Sequence, residues 1–137
     1  MKLILLRHGE SQWNLENRFT GWKDVELTSS GKQEAKSAGK KLIESKIIVD
    51  SVYTSLLERA THTSNIVAKY INFNLEHIQY DWRLNERHYG ALQGLNKSET
   101  AEKYGEKQVL IWRRSFDIPP PSLKNDDPRH PRFNSKF

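Results

Sequence analysis

The stretch that decides the fold is LILLRHGESQWN, residues 3–14. Four apolar residues, Leu3 to Leu6, are followed at once by Arg7, His8 and Gly9. A short apolar run bounded by charge predicts a strand that is buried on both faces, as in parallel sheets. Because ligands of such sheets bind beyond the carboxyl ends of the strands, the sequence predicts that His8 stands at a functional edge.

Strands and helices alternate in the residues that follow. Apolar runs and helical periodicity predict a helix over 27–46, a strand over 51–54, a helix over 56–71 and a strand over 78–84. This alternation predicts a three-layer α/β architecture with a mostly parallel sheet. Two further helices are predicted, over 98–104 and 106–116, and a proline triplet at 119–121 prevents the second from continuing.

Length and composition set the class of protein. A chain of 137 residues is large enough for one domain with one core. Lys and Arg number 22 against 17 acids, and the net charge of +5 favours an anionic partner: nucleic acid, an acidic membrane surface or a phosphorylated small molecule. The absence of cysteine excludes a disulfide scaffold and a thiolate nucleophile. With no stretch near the ~20 apolar residues of a membrane span, a soluble cytoplasmic protein is expected.

The residues around His8 suit phosphoryl chemistry. A neutral imidazole is a good nucleophile toward phosphorus, and the phosphoryl group then needs cations and amide donors around its oxygens. Arg7 is adjacent, Gly9 allows close approach of the backbone, and Arg59 begins the helix after the second strand. A lone histidine at a strand end is more often structural, but these neighbours favour a site. The other histidines show no metal-ligand spacing, so no metal is expected.

Six segments occur together in a fixed order: LLRHGESQWN at 5–14, RFTGW at 18–22, LTSSGKQEA at 27–35, YTSLLERATHT at 53–63, RLNERHYGALQGLNK at 83–97 and WRRSFDIPPP at 112–121. As a set they resemble the 2,3-bisphosphoglycerate-dependent phosphoglycerate mutases of the histidine phosphatase superfamily. The resemblance implies a three-layer histidine-phosphatase fold, with 1–137 as one catalytic domain and 90–137 as a lid and substrate-binding insertion. It also implies interconversion of 2- and 3-phosphoglycerate in glycolysis and gluconeogenesis, primed by 2,3-bisphosphoglycerate, without metal, nucleic acid or membrane.

The resemblance assigns roles to individual residues. His8 matches the histidine that becomes phosphorylated, Arg7 and Arg59 match arginines that grip the phosphoryl group, and Glu86 matches the proton donor. A carboxylic acid donates a proton near neutral pH only where its surroundings disfavour the charged form, and a nearby dianionic phosphate acts in that direction. The resemblance implies further phosphate or substrate contacts at Ser11, Asn14, Thr20, Gly21, Arg87, Tyr89, Lys97, Arg113 and Arg114, of which the last three match a cationic group for the carboxylate and distal phosphate.

One part of the family pattern is missing from the sequence. These mutases carry a second catalytic histidine in an apolar strand followed by HGNS, and no such element follows in this chain. The chain therefore resembles the N-terminal portion of a mutase, with an incomplete fold and an unpaired apolar edge at Leu3–Leu6. Losing one preorganised donor typically costs about 2.7 to 4 kcal/mol of transition-state stabilisation, so turnover is expected to fall by orders of magnitude.

Several alternatives stay open on the sequence. The chain could be a truncated, inactive or binding-only remnant of a mutase, or a superfamily phosphatase, although most such phosphatases lack an equivalent of residues 90–137. A basic nucleic-acid binder is supported by net charge alone. The sequence does not fix whether Phe137 is the natural terminus, whether the chain forms a homo-oligomer, or how mutase, synthase and phosphatase activities are balanced.

Overall fold

A computed structural model describes residues 2–137. The chain folds into two compact units. The first unit comprises the residues up to Gln12 together with Val25–Leu84, and the second comprises Trp13–Asp24 together with Asn85–Phe137. The sequence interpretation of 1–137 as one domain with an insertion at 90–137 stays a prediction.

The regular elements are short, and helices predominate. They are α1 (Gln12–Leu15), α2 (Ser29–Glu44), β1 (Tyr53–Thr54), α3 (Glu58–Tyr70), β2 (Gln79–Tyr80), α4 (Lys97–Tyr104) and α5 (Glu106–Arg114), with 3-10 turns at Leu75–His77, Trp82–Leu84, Gly90–Leu92 and Pro131–Phe133. Among residues 2–137, no helix is both long enough and apolar enough to cross a membrane.

In the first unit, α2 packs against α3 through a face of small residues. The side chain of Thr28 caps α2, because its hydroxyl oxygen accepts from the backbone N–H of Gly31 at 3.0 Å. Gly31, Ala35 and Gly39 recur every four residues on the buried side of α2. A Cβ placed at Gly39 would lie 2.6 Å from Cβ of Tyr70, so the absence of a side chain there allows the two helices to approach.

Strands β1 and β2 form a parallel pair with α3 between them in the chain, which is the strand–helix–strand alternation predicted from the sequence. The register pairs Tyr53 with Gln79 and Thr54 with Tyr80. The strand predicted over 78–84 ends earlier, since the Asp81 carboxylate accepts from both the backbone N–H and the Nε–H of Arg83 at 2.9 Å. That local hydrogen bonding competes with the ladder and leads into the turn at Trp82–Leu84.

The strand predicted at Leu3–Leu6 is not formed within residues 2–137. All four side chains are exposed, with Leu3 at 79% and Leu5 at 87% of their full accessible surface. An apolar run becomes a strand only where a neighbouring backbone forms hydrogen bonds with it, and no described segment pairs with this one. The prediction of a strand buried on both faces is therefore wrong here, and in place of a strand with an unpaired edge the structure has an exposed apolar segment.

The second unit is built around the pairing of residues 17–19 with residues 94–97. Phe19 N–H donates to the Leu95 carbonyl at 3.0 Å, and Gly94 N–H donates to the Phe19 carbonyl at 2.8 Å. The Phe19 side chain is fully buried in a core cluster with Leu92 and Val109. Helices α4 and α5 match the predicted segments, except that α5 ends at Arg114 instead of residue 116.

Candidate active site

His8 and Arg59 meet in the first unit. The Nδ1–H of His8 donates to the carbonyl of Gly9 at 2.7 Å, and the Nε–H of Arg59 donates to Nε2 of His8 at 3.3 Å. These two contacts are compatible with a neutral imidazole whose proton is on Nδ1. The lone pair of Nε2 is consequently held beside a guanidinium that is only 1% exposed. A nucleophilic nitrogen next to a buried cation is suited to accepting an anionic group.

The loop that follows His8 is packed against the start of α2. A Cβ placed at Gly9 would lie 2.1 Å from the Gly31 carbonyl oxygen, and a Cβ at Gly31 would lie 2.1 Å from the Glu10 carbonyl oxygen. Glu10 N–H donates to the Glu34 carboxylate at 2.8 Å, and the Thr28 hydroxyl donates to the Glu10 carboxylate at 2.8 Å. The backbone after His8 is therefore fixed by contacts that tolerate no side chain at either glycine.

A buried hydroxyl also connects this loop to α3. Thr63 Oγ1 accepts from the backbone N–H of Gly9 at 3.1 Å and donates to the Arg59 carbonyl at 2.7 Å. Thr63 is not among the site residues predicted from the sequence. The available signal was its spacing from Arg59, because four residues make one helical turn and bring the hydroxyl to the carbonyl of Arg59.

The other two predicted site residues of the first unit differ in exposure. Arg7, which precedes His8 in the chain, is exposed. Ser11 is fully buried, and its backbone forms an antiparallel bridge with Leu27. The structure thus brings Arg59 directly to His8, while Ser11 belongs to the packed base of the loop.

In the second unit, several predicted residues gather around Tyr89. Burial raises the pKa of the Tyr89 phenol, the charge of Glu86 raises it further, and the charges of Arg113, Arg114 and Arg87 lower it. These four charged groups therefore lie within electrostatic range of one phenol. Tyr89 also packs on Phe19, with ring centroids 5.1 Å apart. The cluster combines an exposed carboxylate with three guanidinium groups, a composition suited to an acidic phosphorylated ligand.

Arg87 makes hydrogen bonds within the protein. Its Nη1 donates to the Trp112 carbonyl at 2.7 Å and its Nη2 donates to the Ser115 carbonyl. Those carbonyls lie at the end of α5, where a cation also interacts favourably with the helix dipole. Arg87 therefore holds the end of the helix that carries Arg113 and Arg114.

The segment 13–24 carries three more predicted contacts. Asn14 lies in α1 and is half-buried, whereas Thr20 and Gly21 are buried. Gly21 has a φ of 56°, and a Cβ there would lie 3.1 Å from the backbone nitrogen of Tyr89. The adjacent Trp22 Nε1–H donates to the Glu86 carbonyl at 2.6 Å. Through these contacts the turn at Gly21 packs against the loop that contains Glu86 and Tyr89.

Lys97 and Arg113 line a groove of about 570 Å³ on α4 and α5. Two acids, Glu102 and Glu106, line the same groove, so its charge is mixed. Lys97 and Arg113 therefore line one groove, together with acidic neighbours that are not predicted from the sequence.

His88 of the second unit contacts a backbone N–H and an aromatic ring. His88 Nδ1 accepts from the Gly90 N–H at 2.9 Å, and the imidazole packs edge-on against Trp22. Burial lowers the pKa of His88, and the neighbouring His130 lowers it further. No group of three or more His, Asp or Glu side chains in residues 2–137 is arranged to hold a metal ion.

The chain is similar to curated bacterial enzymes over its whole length. It is 58% identical over 137 residues to a 2,3-bisphosphoglycerate-dependent phosphoglycerate mutase of Lachnoclostridium phytofermentans. The aligned region covers 100% of this chain and 55% of that protein. The same comparison with a mutase of that name from Bacteroides fragilis gives 57% identity over 136 residues, 99% of this chain and 55% of that protein. The chain thus spans about half the length of the curated relatives it matches.

Solved structures show the same fold. A mycobacterial glucosyl-3-phosphoglycerate phosphatase in complex with VO3 superposes with a TM-score of 0.72 at 27% identity, covering 82% of this chain and 53% of that one. Bacillus stearothermophilus YhfR gives 0.66 at 34% identity, covering 77% and 50%. The predicted α/β histidine-phosphatase fold, incomplete in this chain, is confirmed. Since the family model for the histidine phosphatase superfamily (branch 1) matches residues 3–130, the chain belongs to that superfamily.

Proposed function

We propose that the chain carries the phosphoryl-accepting centre of a 2,3-bisphosphoglycerate-dependent phosphoglycerate mutase, which interconverts 2- and 3-phosphoglycerate through phosphohistidine at His8. The observation that carries the proposal is the position of Nε2 of His8 beside the Nε–H of buried Arg59. The two mutases that match the whole chain at 57–58% identity supply the substrate class.

The geometry of His8 supports a direct displacement at phosphorus. The Nε–H of Arg59 leaves Nε2 and turns to a phosphoryl oxygen, Nε2 attacks with the released lone pair, the new N–P bond forms, and the bond between phosphorus and the leaving oxygen breaks. Arg59 and the exposed Arg7 then balance the charge on the phosphoryl oxygens. The hydrogen bond from Nδ1–H to the Gly9 carbonyl stabilises the positive charge that develops on the ring during the attack.

The charged cluster of the second unit supplies the remaining roles in this proposal. The Glu86 carboxyl group gives its proton to the leaving oxygen, and its carboxylate takes a proton from the attacking hydroxyl on return of the phosphoryl group. Further substrate contacts are assigned to Ser11, Asn14, Thr20, Gly21, Arg87, Tyr89, Lys97, Arg113 and Arg114. Residues 90–137 are assigned as the lid and substrate-binding insertion.

The same proposal includes a primer, a metabolic role and a cellular location. Before the first transfer to monophosphoglycerate, His8 must be phosphorylated, and 2,3-bisphosphoglycerate is the primer that the relatives' name indicates. The donor needs cations for its phosphates, and His8 has Arg59 and Arg7 as neighbours. Such an enzyme serves glycolysis and gluconeogenesis in the cytoplasm.

The test is the intact mass of the chain after brief incubation with 2,3-bisphosphoglycerate. The proposal predicts a gain of about 80 Da, the mass of one phosphoryl group, that is lost on mild acid treatment. His8→Ala is expected to remain unmodified, while the matched control His62→Ala, in the same unit, is expected to gain the group. An unmodified wild-type chain of native secondary structure would contradict the proposal and support a binding-only remnant.

Phosphatase activity is the second candidate, because a phosphatase is among the solved structures that share the fold. The phosphorylated chain is therefore isolated and divided between buffer and 3-phosphoglycerate. Transfer to 3-phosphoglycerate, detected as bisphosphoglycerate, supports the mutase. Release of inorganic phosphate at the same rate in both samples supports the phosphatase.

A further inference from the structure

Thr63 makes two hydrogen bonds that join separate parts of the first unit. Its side chain is 3% exposed and lies in the second turn of α3. The hydroxyl proton goes to the Arg59 carbonyl at 2.7 Å, and the hydroxyl oxygen accepts the Gly9 N–H at 3.1 Å. A threonine hydroxyl that bonds to the carbonyl one turn earlier is common in helices. The second bond, to a loop 54 residues away in sequence, is not needed for the helix.

These bonds complete a closed cycle of hydrogen bonds. His8 Nδ1–H donates to the Gly9 carbonyl, Gly9 N–H donates to Thr63, Thr63 donates to the Arg59 carbonyl, and Arg59 Nε–H donates to Nε2 of His8. Two side chains of α3 reach this loop: Arg59 bonds to the imidazole of His8, and Thr63 bonds to the backbone of Gly9. The hydroxyl of Thr63 therefore connects the glycine whose carbonyl orients the imidazole to the backbone of the residue whose guanidinium faces it.

We infer that Thr63 is a positioning residue for phosphoryl transfer at His8. Its hydroxyl fixes the N–H of the His8–Gly9 peptide, and the carbonyl of the same glycine holds the imidazole in the tautomer whose Nε2 lone pair faces Arg59. The effect of Thr63 on the rate of His8 phosphorylation rests on the proposed function, whereas its effect on the His8 tautomer does not. Displacement of a reacting group by about 1 Å is enough to cost about 100-fold in rate, so loss of this one bond has a measurable effect.

Removal of the hydroxyl should act on orientation, not on binding of the donor. In Thr63→Val, the buried N–H of Gly9 loses its hydrogen-bond acceptor. The His8–Gly9 peptide is then expected to rotate so that this N–H reaches another acceptor. We expect the limiting rate of His8 phosphorylation to fall about 10- to 100-fold, while the half-saturating concentration of 2,3-bisphosphoglycerate changes by less than about threefold. Thr63→Ser keeps the hydroxyl and should remain close to the wild type.

A neighbouring threonine provides a matched control. Thr61 is in the same helix, and its hydroxyl donates to the Glu58 carbonyl at 3.0 Å. Thr61→Val therefore removes an intrahelical bond of the same kind without removing the bond to Gly9. It should phosphorylate at the wild-type rate. If Thr63→Val does not fold, the comparison passes to Thr63→Ser against Thr63→Ala, which differ from one another only by the hydroxyl.

The second readout is the tautomer of His8, measured by NMR on 15N-histidine-labelled chain without any donor. Wild type, Thr63→Ser and Thr61→Val should show the Nδ1–H form, and Thr63→Val should show a mixture with the Nε2–H form. A wild-type tautomer in both Thr63→Val and Thr63→Ala would overturn the inference, as would equal rate losses in Thr63→Ser and Thr63→Val. If the wild-type chain is not phosphorylated at all, the proposed function fails and the tautomer comparison still decides the role of Thr63.

Discussion

The Nε–H of Arg59 donates to Nε2 of His8 across 3.3 Å, while the opposite ring nitrogen donates to the carbonyl of its neighbour Gly9. A protonated imidazole would place an N–H against the guanidinium N–H, so this geometry favours the neutral base. Arginine is the residue type that proteins use as a permanent cation. The pair therefore combines a free-base nucleophile with a fixed cation for the group that it accepts.

This pairing predicts the effect of Arg59→Lys. Lysine keeps the positive charge but loses the planar fork and the Nε–H that reaches His8. We expect the rate of His8 phosphorylation by 2,3-bisphosphoglycerate to fall about 10²- to 10³-fold, as for removal of one preorganised donor. The rate is followed by intact mass. The control is Arg83→Lys, since Arg83 is exposed and paired with Asp81. Equal rates in wild type and Arg59→Lys would show that charge alone suffices.

The contact between Gly31 and the loop after His8 predicts a loss of stability in Gly31→Ala. The added Cβ would lie 2.1 Å from the Glu10 carbonyl oxygen, a backbone atom that cannot move aside alone. Overpacking of this kind costs about 1 to 3 kcal/mol in the free energy of unfolding, measured by urea titration. Ser30→Ala, at the exposed neighbouring position, should change it by less than about 0.5 kcal/mol. A Gly31→Ala chain as stable as wild type would mean that the helix shifts freely.

Burial of His88 predicts acid sensitivity of the second unit. Because its folded pKa is lowered from the usual 6.5 by burial and by His130, the unfolded chain binds the proton more readily. Its contribution is therefore fully present above pH 6.5 and is lost as the pH falls toward and through the folded pKa. His88→Gln should show a smaller loss of unfolding free energy between about pH 8 and about pH 5 than wild type.

The control for that pH experiment is His77→Gln, because His77 is an exposed histidine of the first unit. Its pH dependence should match that of the wild type. Unfolding is followed by tryptophan fluorescence in urea at both pH values. If His88→Gln and wild type lose equal stability on acidification, some other group is responsible for the acid sensitivity.

Local patterns in the sequence were sufficient to predict the helices and the position of Arg59. Thr28 as a cap and the helical spacing of Ala35, Ala38 and Leu42 predict α2, and both are local features of the helix. The order strand, turn, helix predicted that Arg59 reaches the edge near His8, and the two side chains do meet. Their catalytic roles stay predictions, since contact alone does not establish chemistry.

Features that depend on distant partners could not be predicted. The run Leu3–Leu6 has the composition of a buried strand, but composition does not specify which backbone pairs with it. The two-residue length of β2 follows from the side chain of Asp81, which binds Arg83. Helical periodicity places Thr63 on the packed face of a helix and indicates nothing more, because its bond to Gly9 spans 54 residues.

The exposure of Leu3–Leu6 predicts concentration-dependent association of the chain. An unpaired apolar segment invites pairing with another backbone, and lysine on such an edge discourages it. Leu5 is 87% exposed, so Leu5→Lys removes apolar surface from the segment without disturbing a core. We expect light scattering at high protein concentration to fall severalfold. Ile43→Lys changes an aliphatic side chain on α2 that is 51% exposed, and should leave association unchanged. Equal decreases in both variants would show that net charge, and not the Leu3–Leu6 edge, controls association.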